Sequence, residues 1–288
     1  MRAPYSQNEM SPPSYGSTRT AVIARLDPTY QSKNVVITGA SRGIGRALAR
    51  EFLSHGHRVV ISSKTSYGTL QAYQELRREF GHQRCMYHVA NVENANECQS
   101  LAISARAMLG DDIDLWINNA GTTSNTRTEF ASMDVDAIHR IVGTNLLGTL
   151  FSCFYALSVM NCHESAIVNF EGSGVNSPSV SGYIAYSTSK VAVRYFTDQL
   201  RSELIRERMG VRIHSVSPGL VMTDMLRNGN EQKVLNTIAP LSITAEECAA
   251  FVHKELMKPC SKNRNIVYLT PLRFLIKILT YPFYVHLE

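Results

Sequence analysis

The fold of this chain is decided by the stretch Asn34-Val-Val-Ile-Thr-Gly-Ala-Ser-Arg-Gly-Ile-Gly45. Its first half is a β-branched run that predicts a buried strand, and its three glycines predict a tight turn into a helix. Backbone N–H groups at the start of a helix attract anions, so the turn fits the pyrophosphate of a dinucleotide, although it also fits a plain strand-to-helix connection. The turn residues that would contact the dinucleotide are Gly39, Ser41, Arg42, Gly43, Ile44 and Gly45.

The rest of the chain alternates short apolar strands with segments of helical period. The predicted strands are residues 34–37, 58–62, 85–89, 113–117, 166–170, 211–216 and 265–269. The predicted helices are residues 46–54, 70–80, 95–109, 187–209 and 245–257. Strands that are apolar along their whole length and separated by helices are typical of a parallel sheet covered on both faces. We therefore expect an α/β fold, a doubly wound parallel sheet of about seven strands (Rossmann) in a single domain.

Composition and charge argue against several classes of protein. The 288 residues are 44% apolar and 18% charged, with 29 Lys and Arg against 24 Asp and Glu. No block of like charges indicates a nucleic-acid partner, no apolar run reaches the ~18 residues of a membrane span, and the nine histidines show no metal-ligand spacing. Six cysteines without a CxxC pair indicate reduced thiols in an intracellular protein, cytoplasmic or in a plastid or other organelle, that is not secreted.

The end of the second predicted strand bears on the choice of dinucleotide. A carboxylate about 20 residues after the glycines would hold the ribose 2′-hydroxyl of NAD(H), but the sequence has Ser62-Ser63-Lys64 there. Lys64 and Arg42 would instead pair with a 2′-phosphate, with Ser63 beside them, which favours NADP(H) over NAD(H). The alternative is that both cations are solvated surface residues.

Further motifs follow the glycine turn in order, and together they resemble the short-chain dehydrogenase/reductase family over residues 33–270. They are Asn118-Asn-Ala-Gly121, Asn145, Tyr186-Ser-Thr-Ser-Lys190 and Pro218-Gly-Leu-Val-Met-Thr223. The resemblance implies an NAD(P)-dependent oxidoreductase acting on CH–OH or C=O groups, assembled as a homodimer or homotetramer through the long helix after Tyr186. It also implies dinucleotide contacts at Asn91, Val92, Asn119, Ala120, Gly121, Tyr186, Lys190, Pro218, Gly219, Val221 and Thr223.

Tyr186 and Lys190 are the predicted proton-transfer pair. Their spacing of four residues places both on one helix face, and a fixed ammonium is expected to lower the pKa of the phenol from about 10. Such a phenol can donate a proton to a carbonyl oxygen as hydride arrives. By resemblance, Ser173, thirteen positions before Tyr186, orients the carbonyl, Lys190 also holds the ribose, and Asn145 holds a water in the relay behind Lys190.

One departure from the usual family pattern narrows the expected substrate. The family usually has a Ser-Ser pair after the fifth strand, whereas this chain reads Asn169-Phe-Glu-Gly-Ser-Gly174. An acidic residue followed by Gly-x-Gly resembles the chlorophyll b reductase branch, which has Asp-Gly-Ala-Gly there. This implies an NADPH-dependent reductase of the formyl group of a chlorophyll b-like tetrapyrrole. The alternatives are a reductase of another apolar carbonyl, such as a carotenoid, sterol or acyl derivative, and a cofactor-binding regulatory protein without turnover.

Two segments at the carboxyl ends of the strands are predicted to choose the substrate. They are residues 122–136 and residues 224–244. The second carries Met225, Leu226 and Leu235, which fit either an apolar lid over a hydrophobic substrate or ordinary helix packing.

The sequence pattern changes at both ends of the catalytic domain, which we assign to residues 33–270. Residues 1–32 are rich in Ser, Thr, Tyr and Pro, which predicts a flexible N-terminal extension or an organellar targeting segment. Residues 271–288 predict a basic amphipathic tail, with leucines on one helix face, Arg273 and Lys277 on the other, and Pro282 at the helix end. The tail would pack on the domain or on a neighbouring subunit, or make peripheral contact with a membrane.

Overall fold

A computed structural model describes residues 31–110, 113–124, 128–160, 165–172, 182–228, 230–260 and 262–284. Nearly all of the predicted N-terminal extension lies outside these residues, as does Ser173.

Seven strands form one parallel sheet, and a separate pair of two-residue strands lies beside it. The strands are β1 (Asn34–Thr38), β2 (Arg58–Ser63), β3 (Cys85–Val89), β4 (Leu115–Asn118), β5 (Ala166–Phe170), β6 (Arg212–Ser217), β7 (Leu220–Val221), β8 (Ser242–Ile243) and β9 (Asn265–Val267). The order across the large sheet is β3-β2-β1-β4-β5-β6-β9, and every pairing is parallel. Each of its seven strands lies where the sequence predicted one, so the doubly wound fold is confirmed.

Helices connect the strands and cover both faces of the sheet. They are α1 (Gly43–Ser54), α2 (Ser66–Phe80), α3 (Ala95–Leu109), α4 (Val135–Val142), α5 (Gly148–Val159), α6 (Ile184–Arg206), α7 (Asp224–Asn228), α8 (Gln232–Ile238), α9 (Ala245–Leu256) and α10 (Pro271–Tyr284). A π-helical turn, Gly143–Leu147, joins α4 to α5.

Strand β1 shows why both faces have to be covered. Val35 and Ile37 belong to the apolar cluster that includes side chains of α1 and α9, whereas Val36 belongs to the cluster that includes side chains of α3 and α5. Alternate side chains of a strand point to opposite faces, so a strand that is apolar at every position is stable only when both faces are buried.

The candidate site lies where β1 and β4 are neighbours. From this pair the sheet continues through β2 on one side and through β5 on the other. The carboxyl ends of two such strands form the crevice in which doubly wound sheets bind ligands. The glycine turn leaves β1 at this crevice, and Asn119 to Gly121 leave β4 there.

One helical run among the described residues, Val135–Val159, has the length and hydropathy of a membrane-spanning helix. Within it, Ile141, Cys153 and Ala156 are buried, and the last two belong to the core cluster beneath the sheet. Core helices often have this composition, so the run is weak evidence for a membrane span.

The C-terminal helix differs from its prediction. We expected Pro282 to end it, but α10 continues to Tyr284, and the prediction is wrong. Proline holds φ in the helical range, and what it removes is a single N–H donor, so a helix can continue for a few residues past it.

Three histidines meet at the end of the sheet opposite the crevice. His57 Nδ1 accepts the Lys33 N–H at 3.0 Å, so the proton of neutral His57 is on Nε2, which donates to His253 Nε2 at 3.3 Å. The His55 ring stacks on His253 with centroids 4.1 Å apart. Burial lowers the pKa of His57 to about 4 and that of His253 to about 3, so both rings are neutral at pH 7.

Glu51 joins this cluster and gives it the residue types of a metal site. One ligand atom each of Glu51, His55 and His253 lies within 4.8 Å of the others. However, His55 Nδ1 donates to the Glu51 carbonyl oxygen at 2.9 Å, and His253 Nε2 accepts the proton of His57 Nε2 at 3.3 Å, so both nitrogens already take part in hydrogen bonds. The cluster is therefore arranged for hydrogen bonding, and its nitrogens would have to reorganise to bind an ion.

We expect the free energy of unfolding to fall as the pH drops from about 6.5, the usual histidine pKa, to about 4. In this range the unfolded chain binds a proton at His57 and the folded chain does not, so each pH unit costs about 1.4 kcal/mol at that site. Urea unfolding at several pH values measures the slope. His57→Asn should make the slope shallower by that amount, while His253 keeps its own share, and an unchanged slope in that variant would contradict the assignment.

Candidate active site

The side chain of Asn119 joins the ends of β1 and β4. Its Nδ2 donates to the carbonyl oxygens of Thr38 at 2.9 Å and Gly39 at 3.1 Å. In return, Thr38 Oγ1 accepts the backbone N–H groups of Asn119 and Ala120, at 3.2 and 3.1 Å. The two loops predicted to contact the dinucleotide are thus held together by four hydrogen bonds.

Two glycines of the turn have no room for a side chain. A Cβ at Gly45 would lie 2.4 Å from the Gly39 carbonyl oxygen and 2.5 Å from Asn119 Nδ2. Gly39 has a φ of +66°, and a Cβ there would lie 2.7 Å from Ala120 Cα. Glycine is therefore required at both positions for β1, the turn and the loop after β4 to pack this closely.

Asn145 lies in the π-helical turn and is fully buried. Its Oδ1 accepts the Thr122 N–H at 2.8 Å, and its Nδ2 donates to the Thr122 carbonyl at 2.9 Å and to Ser189 Oγ at 3.0 Å. A Cβ on Gly121 would lie 3.4 Å from Asn145 Oδ1 and 3.6 Å from Lys190 Nζ. The structure therefore brings Asn145 and Lys190 to the same glycine, as their predicted roles require.

Tyr186 and Lys190 lie on one face of α6, beside the end of β5. The Lys190 Nζ donates to the Phe170 carbonyl oxygen at 2.9 Å. A Cβ on Gly172 would lie 3.0 Å from the Tyr186 hydroxyl and 2.9 Å from Lys190 Cγ, so glycine lets both side chains pass close to the backbone. Burial lowers the pKa of Lys190 to about 8, against the opposing charge of Glu171.

The pKa of Tyr186 differs from the expectation. We expected Lys190 to lower it, but burial raises it to about 12, with a further contribution from Tyr183. Burial disfavours the charged phenolate, and the neighbouring Tyr183 disfavours it further. Tyr186 therefore holds its proton at neutral pH, which is the form that a proton donor needs.

The two cations predicted to select the dinucleotide both pair with acids. Lys64 Nζ is 2.9 Å from Glu93 Oε1, and Glu93 also accepts a hydrogen bond from Thr144. Arg42 lies 3.9 Å from Asp224, and both of these side chains are largely exposed. A phosphate would compete with these carboxylates for the cations.

The motif after β6 closes the crevice from the other side. A Cβ on Gly43 would lie 3.5 Å from the Thr223 side chain, so this motif touches the glycine turn. Pro218 and Val221 are buried, and Gly219, with a φ of +75°, packs against Leu269.

The segment that follows this motif forms a cavity of about 500 Å³. Its lining residues are Met222, Arg227, Asn230, Gln232, Leu235, Asn236 and Ala239. Asn230 Nδ2 donates to the Tyr183 hydroxyl at 3.0 Å, and the Tyr183 ring lies edge-on to Tyr186. The predicted substrate segment is thus connected to the tyrosine pair of α6.

The remaining predicted dinucleotide contacts lie around the same edge of the sheet. Ser63 ends β2 and bonds Thr69 Oγ1 at 2.5 Å, and Ser41 lies at the glycine turn near Gly68. The Asn91 side chain accepts the Glu93 N–H at 3.2 Å. Ile44 packs on the core, and Val92 is buried against Gly148.

Comparison with known proteins agrees with this geometry. The family model described as short chain dehydrogenase matches residues 33–234. The chain belongs to this short chain dehydrogenase family. It is 32% identical over 266 residues to chlorophyll(ide) b reductase NOL, chloroplastic, of Oryza sativa subsp. japonica, which covers 90% of this chain and 76% of the relative.

Two further comparisons define the extent of this likeness. The probable chlorophyll(ide) b reductase NYC1, chloroplastic, of the same organism is 34% identical over 268 residues, 86% of this chain, and this chain spans about half (52%) of its length. Among solved structures, an alcohol dehydrogenase of the archaeon Thermococcus sibiricus with 5-hydroxy-NADP gives a TM-score of 0.70 at 21% identity, over 83% of this chain and 96% of that chain. The last comparison supports the fold, and the chain is a short-chain oxidoreductase by its family.

The core of this short-chain dehydrogenase contains a series of hydrogen-bonded polar side chains that the sequence did not predict. Trp116 Nε1 donates to Asn118 Oδ1 at 3.0 Å, Asn118 Nδ2 donates to Asn169 Oδ1 at 2.9 Å, and Asn169 Nδ2 donates to Thr197 Oγ1 at 3.0 Å. These bonds tie β4 and β5 to α6, the helix that carries Tyr186. An asparagine inside each of two apolar strands was the available signal, because a buried amide needs a partner.

Glu171 is a second residue of this short-chain dehydrogenase whose role the sequence did not predict, although it was part of the resemblance to the family. Its side chain is buried, and its Oε2 lies 3.2 Å from Arg194 NH1, one helical turn after Lys190. Burial raises the pKa of Glu171, whereas Arg194 opposes that change. Because Glu171 raises the pKa of Lys190, it is a positioning residue for the ammonium.

We expect Glu171→Gln to lower the pKa of Lys190 below about 8, because a buried negative charge that raises this pKa is lost. The alkaline limb of the pH profile of NADPH affinity should move to lower pH. Glu171→Asp keeps the charge and should restore the wild-type profile. A profile that is the same in wild type and Glu171→Gln would contradict the coupling.

Proposed function

We propose that this chain is an NADPH-dependent carbonyl reductase that acts on the formyl group of a chlorophyll b-like tetrapyrrole and forms a hydroxymethyl group. The observation that carries the proposal is the meeting of Tyr186, Lys190 and Asn145 around Gly121 and Gly172, at the carboxyl edge of the sheet. The substrate class rests on the relatives, which are named chlorophyll(ide) b reductases.

The glycine turn would hold the dinucleotide, and the loop after β4 would lie beside it. Because Gly39 and Gly45 carry no Cβ, the turn packs closely on the loop after β4, and a pyrophosphate would bind to the backbone N–H groups at the start of α1. When bound, NADPH supplies a hydride to the carbonyl carbon. The residues of the chain supply the proton and the position of the substrate.

Tyr186 would donate its proton to the carbonyl oxygen as the hydride adds to the carbon. The oxygen gains that proton, the C=O double bond becomes a C–OH group, and Tyr186 is left as a phenolate beside Lys190. The raised pKa of Tyr186 disfavours the phenolate, and the Lys190 ammonium partly offsets this once the charge has formed. Tyr186 is therefore already protonated before the reaction, as the reductive direction requires.

The Tyr186 phenolate would regain its proton from solvent, by way of Lys190 and a water beside Asn145. Asn145 lies next to Lys190 across Gly121, and it holds the Thr122 backbone on both its N–H and its carbonyl. By its resemblance to the family, this amide would place a water that links Lys190 to solvent. Ser173, which lies outside the described residues, would orient the carbonyl.

The cavity beside Met222 and Leu235 would receive part of the substrate. Its volume of about 500 Å³ lies in the range of small-molecule pockets, and its lining combines three apolar residues with three amides and the charged Arg227. A tetrapyrrole ring is larger than this cavity. Only its formyl-bearing edge would enter the cavity, and the rest of the ring would remain outside. The residues of α7 and α8 would then act as the rim.

Purified protein with NADPH should convert chlorophyllide b or chlorophyll b, followed by the change in pigment absorbance. Tyr186→Phe should lower turnover about 100-fold or more because the proton donor is lost. Circular dichroism and the melting temperature of that variant provide the control for folding. Full turnover by Tyr186→Phe would overturn the donor role, and activity only on a carotenoid, sterol or acyl carbonyl would replace the tetrapyrrole.

We also propose that the dinucleotide is NADP(H) rather than NAD(H). Lys64 follows β2 at the position where an acid would read the ribose hydroxyl, and it lies on the same edge as Arg42. Both cations are exposed enough to exchange a carboxylate for a phosphate. The structural neighbour with 5-hydroxy-NADP has the same fold and agrees with this choice.

We expect Lys64→Ala to weaken NADPH binding about tenfold, as loss of a charge-assisted hydrogen bond does, and to leave NADH binding unchanged. Dissociation constants for both dinucleotides from fluorescence titration give the comparison. Lys254→Ala, an exposed lysine on α9, is the matched control and should change neither value. Equal effects of Lys64→Ala on both dinucleotides would argue against the 2′-phosphate contact.

Two further predictions belong to this proposal. We propose a plastid location, because the relatives are named chloroplastic. We also propose a homodimer or homotetramer through α5 and α6, where Phe154 and Tyr195 are 69% and 68% exposed. Exposed aromatic rings on neighbouring helices are typical of a subunit interface.

A further inference from the structure

The C-terminal helix α10 exposes apolar side chains over residues 272–279. They are Leu272, Phe274, Leu275, Ile276, Ile278 and Leu279, each between 42% and 67% exposed. At 100° per residue, these positions cover the outer side of the helix from one flank to the other. Single exposed leucines are common on protein surfaces, but a continuous apolar helix face indicates a binding surface.

The two cations of α10 contact the domain. In an ordinary surface helix, the charged face would point to solvent instead. The Arg273 guanidinium lies 4.8 Å from the ring centroid of Phe251 and 4.9 Å from that of Tyr268, and its NH1 donates to the Tyr268 carbonyl. Lys277 Nζ donates to the Ser242 carbonyl at 2.9 Å. These contacts fix the orientation of the helix, so its apolar side points away from the protein.

The charge of the chain is concentrated in the same region of the sequence. Between Glu255 and Glu288 there are five basic residues and no acidic one: Lys258, Lys262, Arg264, Arg273 and Lys277. The other 24 basic residues of the chain balance its 24 acidic residues, so this stretch accounts for the whole net charge of +5. Of these five, Arg273 and Lys277 lie on α10 itself, which has no acidic residue, so an anionic apolar partner is favoured over a cationic one.

We infer that α10 docks this protein on an anionic lipid surface, with the outer apolar face buried among the acyl chains. An apolar helix with a net basic charge around it has the two properties that hold interfacial helices in the headgroup region of a bilayer. The inference rests on exposure, orientation and charge, and it holds whether or not the catalytic proposal is correct.

A second copy of the chain fits the same face less well. A two-fold contact through α10 would bring the same patch of each copy together, so two helices that each carry two cations and no acid would meet. Like charges at an interface disfavour association, whereas anionic headgroups favour it. The apolar face also covers more of the helix surface than a single partner helix would bury.

The position of α10 connects membrane docking to the cavity. The helix contacts the single turn Ala239–Leu241, and Lys277 bonds the residue that follows it. Ala239 lines the cavity described above. A bilayer under α10 would thus lie next to the segment through which an apolar substrate enters.

Sedimentation of the full-length protein with vesicles tests the inference. We expect binding to vesicles of phosphatidylcholine with phosphatidylglycerol, weaker binding to phosphatidylcholine alone, and weaker binding at high salt. Leu275→Glu and Leu279→Glu should each weaken binding about tenfold or more, because burial of a leucine is lost and a charge of the wrong sign is added. Ile103→Glu on α3, at 59% exposure against 53% and 61% for the two leucines, is the matched control and should bind like wild type.

Circular dichroism and NADPH affinity should be the same in all variants, which shows that the domain is folded. Wild-type protein that does not bind anionic vesicles would overturn the inference, as would leucine variants that bind as well as Ile103→Glu. If Leu275→Glu instead reduced the molar mass measured by light scattering, the face would belong to a second copy and the lipid assignment would be wrong. Vesicle binding without any reductase activity would retain this inference and remove only the proposed function.

Discussion

The hydrogen bonds of the Asn119 side chain are the contact on which the candidate site depends. One amide group reaches from the end of β4 to the carbonyl oxygens of Thr38 and Gly39 at the end of β1. The resulting approach is so close that neither Gly39 nor Gly45 could carry a Cβ. Because the loop after β4 continues to Gly121 and Thr122, the same contact also sets the distance from the glycine turn to Asn145 and Lys190.

Burial, rather than charge pairing, dominates the ionisation of the two central groups. It raises the pKa of Tyr186 to about 12 and lowers that of Lys190 to about 8. Among the described residues, Glu171 is the negative charge that raises the pKa of Lys190, and Arg194 pairs with its carboxylate. The result at neutral pH is a protonated phenol beside an ammonium, an arrangement that suits donation of a proton to a substrate.

The strands and the motifs could be predicted because each of them is a local property. Continuous apolar runs fix buried strands, glycine fixes a turn with positive φ, and a spacing of four residues puts Tyr186 and Lys190 on one helix face. The contacts that were missed join residues far apart in sequence. His57 and His253, and Asn118 and Asn169, meet only once the sheet and helices have packed, and nothing in the local pattern of either residue names its partner.

The sequence by itself determined the doubly wound sheet and the place of the glycine turn, since these follow from apolar period and residue spacing, whereas most residues predicted at the carboxyl edge came from the resemblance to a known family. Only the tertiary structure decided the ionisation of Tyr186, because the pKa depends on burial by neighbours from other elements. The structure also decided which side of α10 faces the domain. An amphipathic period defines two faces but does not say which one packs on the domain. Arg273 and Lys277 contact the rings of Phe251 and Tyr268 and the Ser242 carbonyl, so the cationic face packs inward and the leucines are exposed.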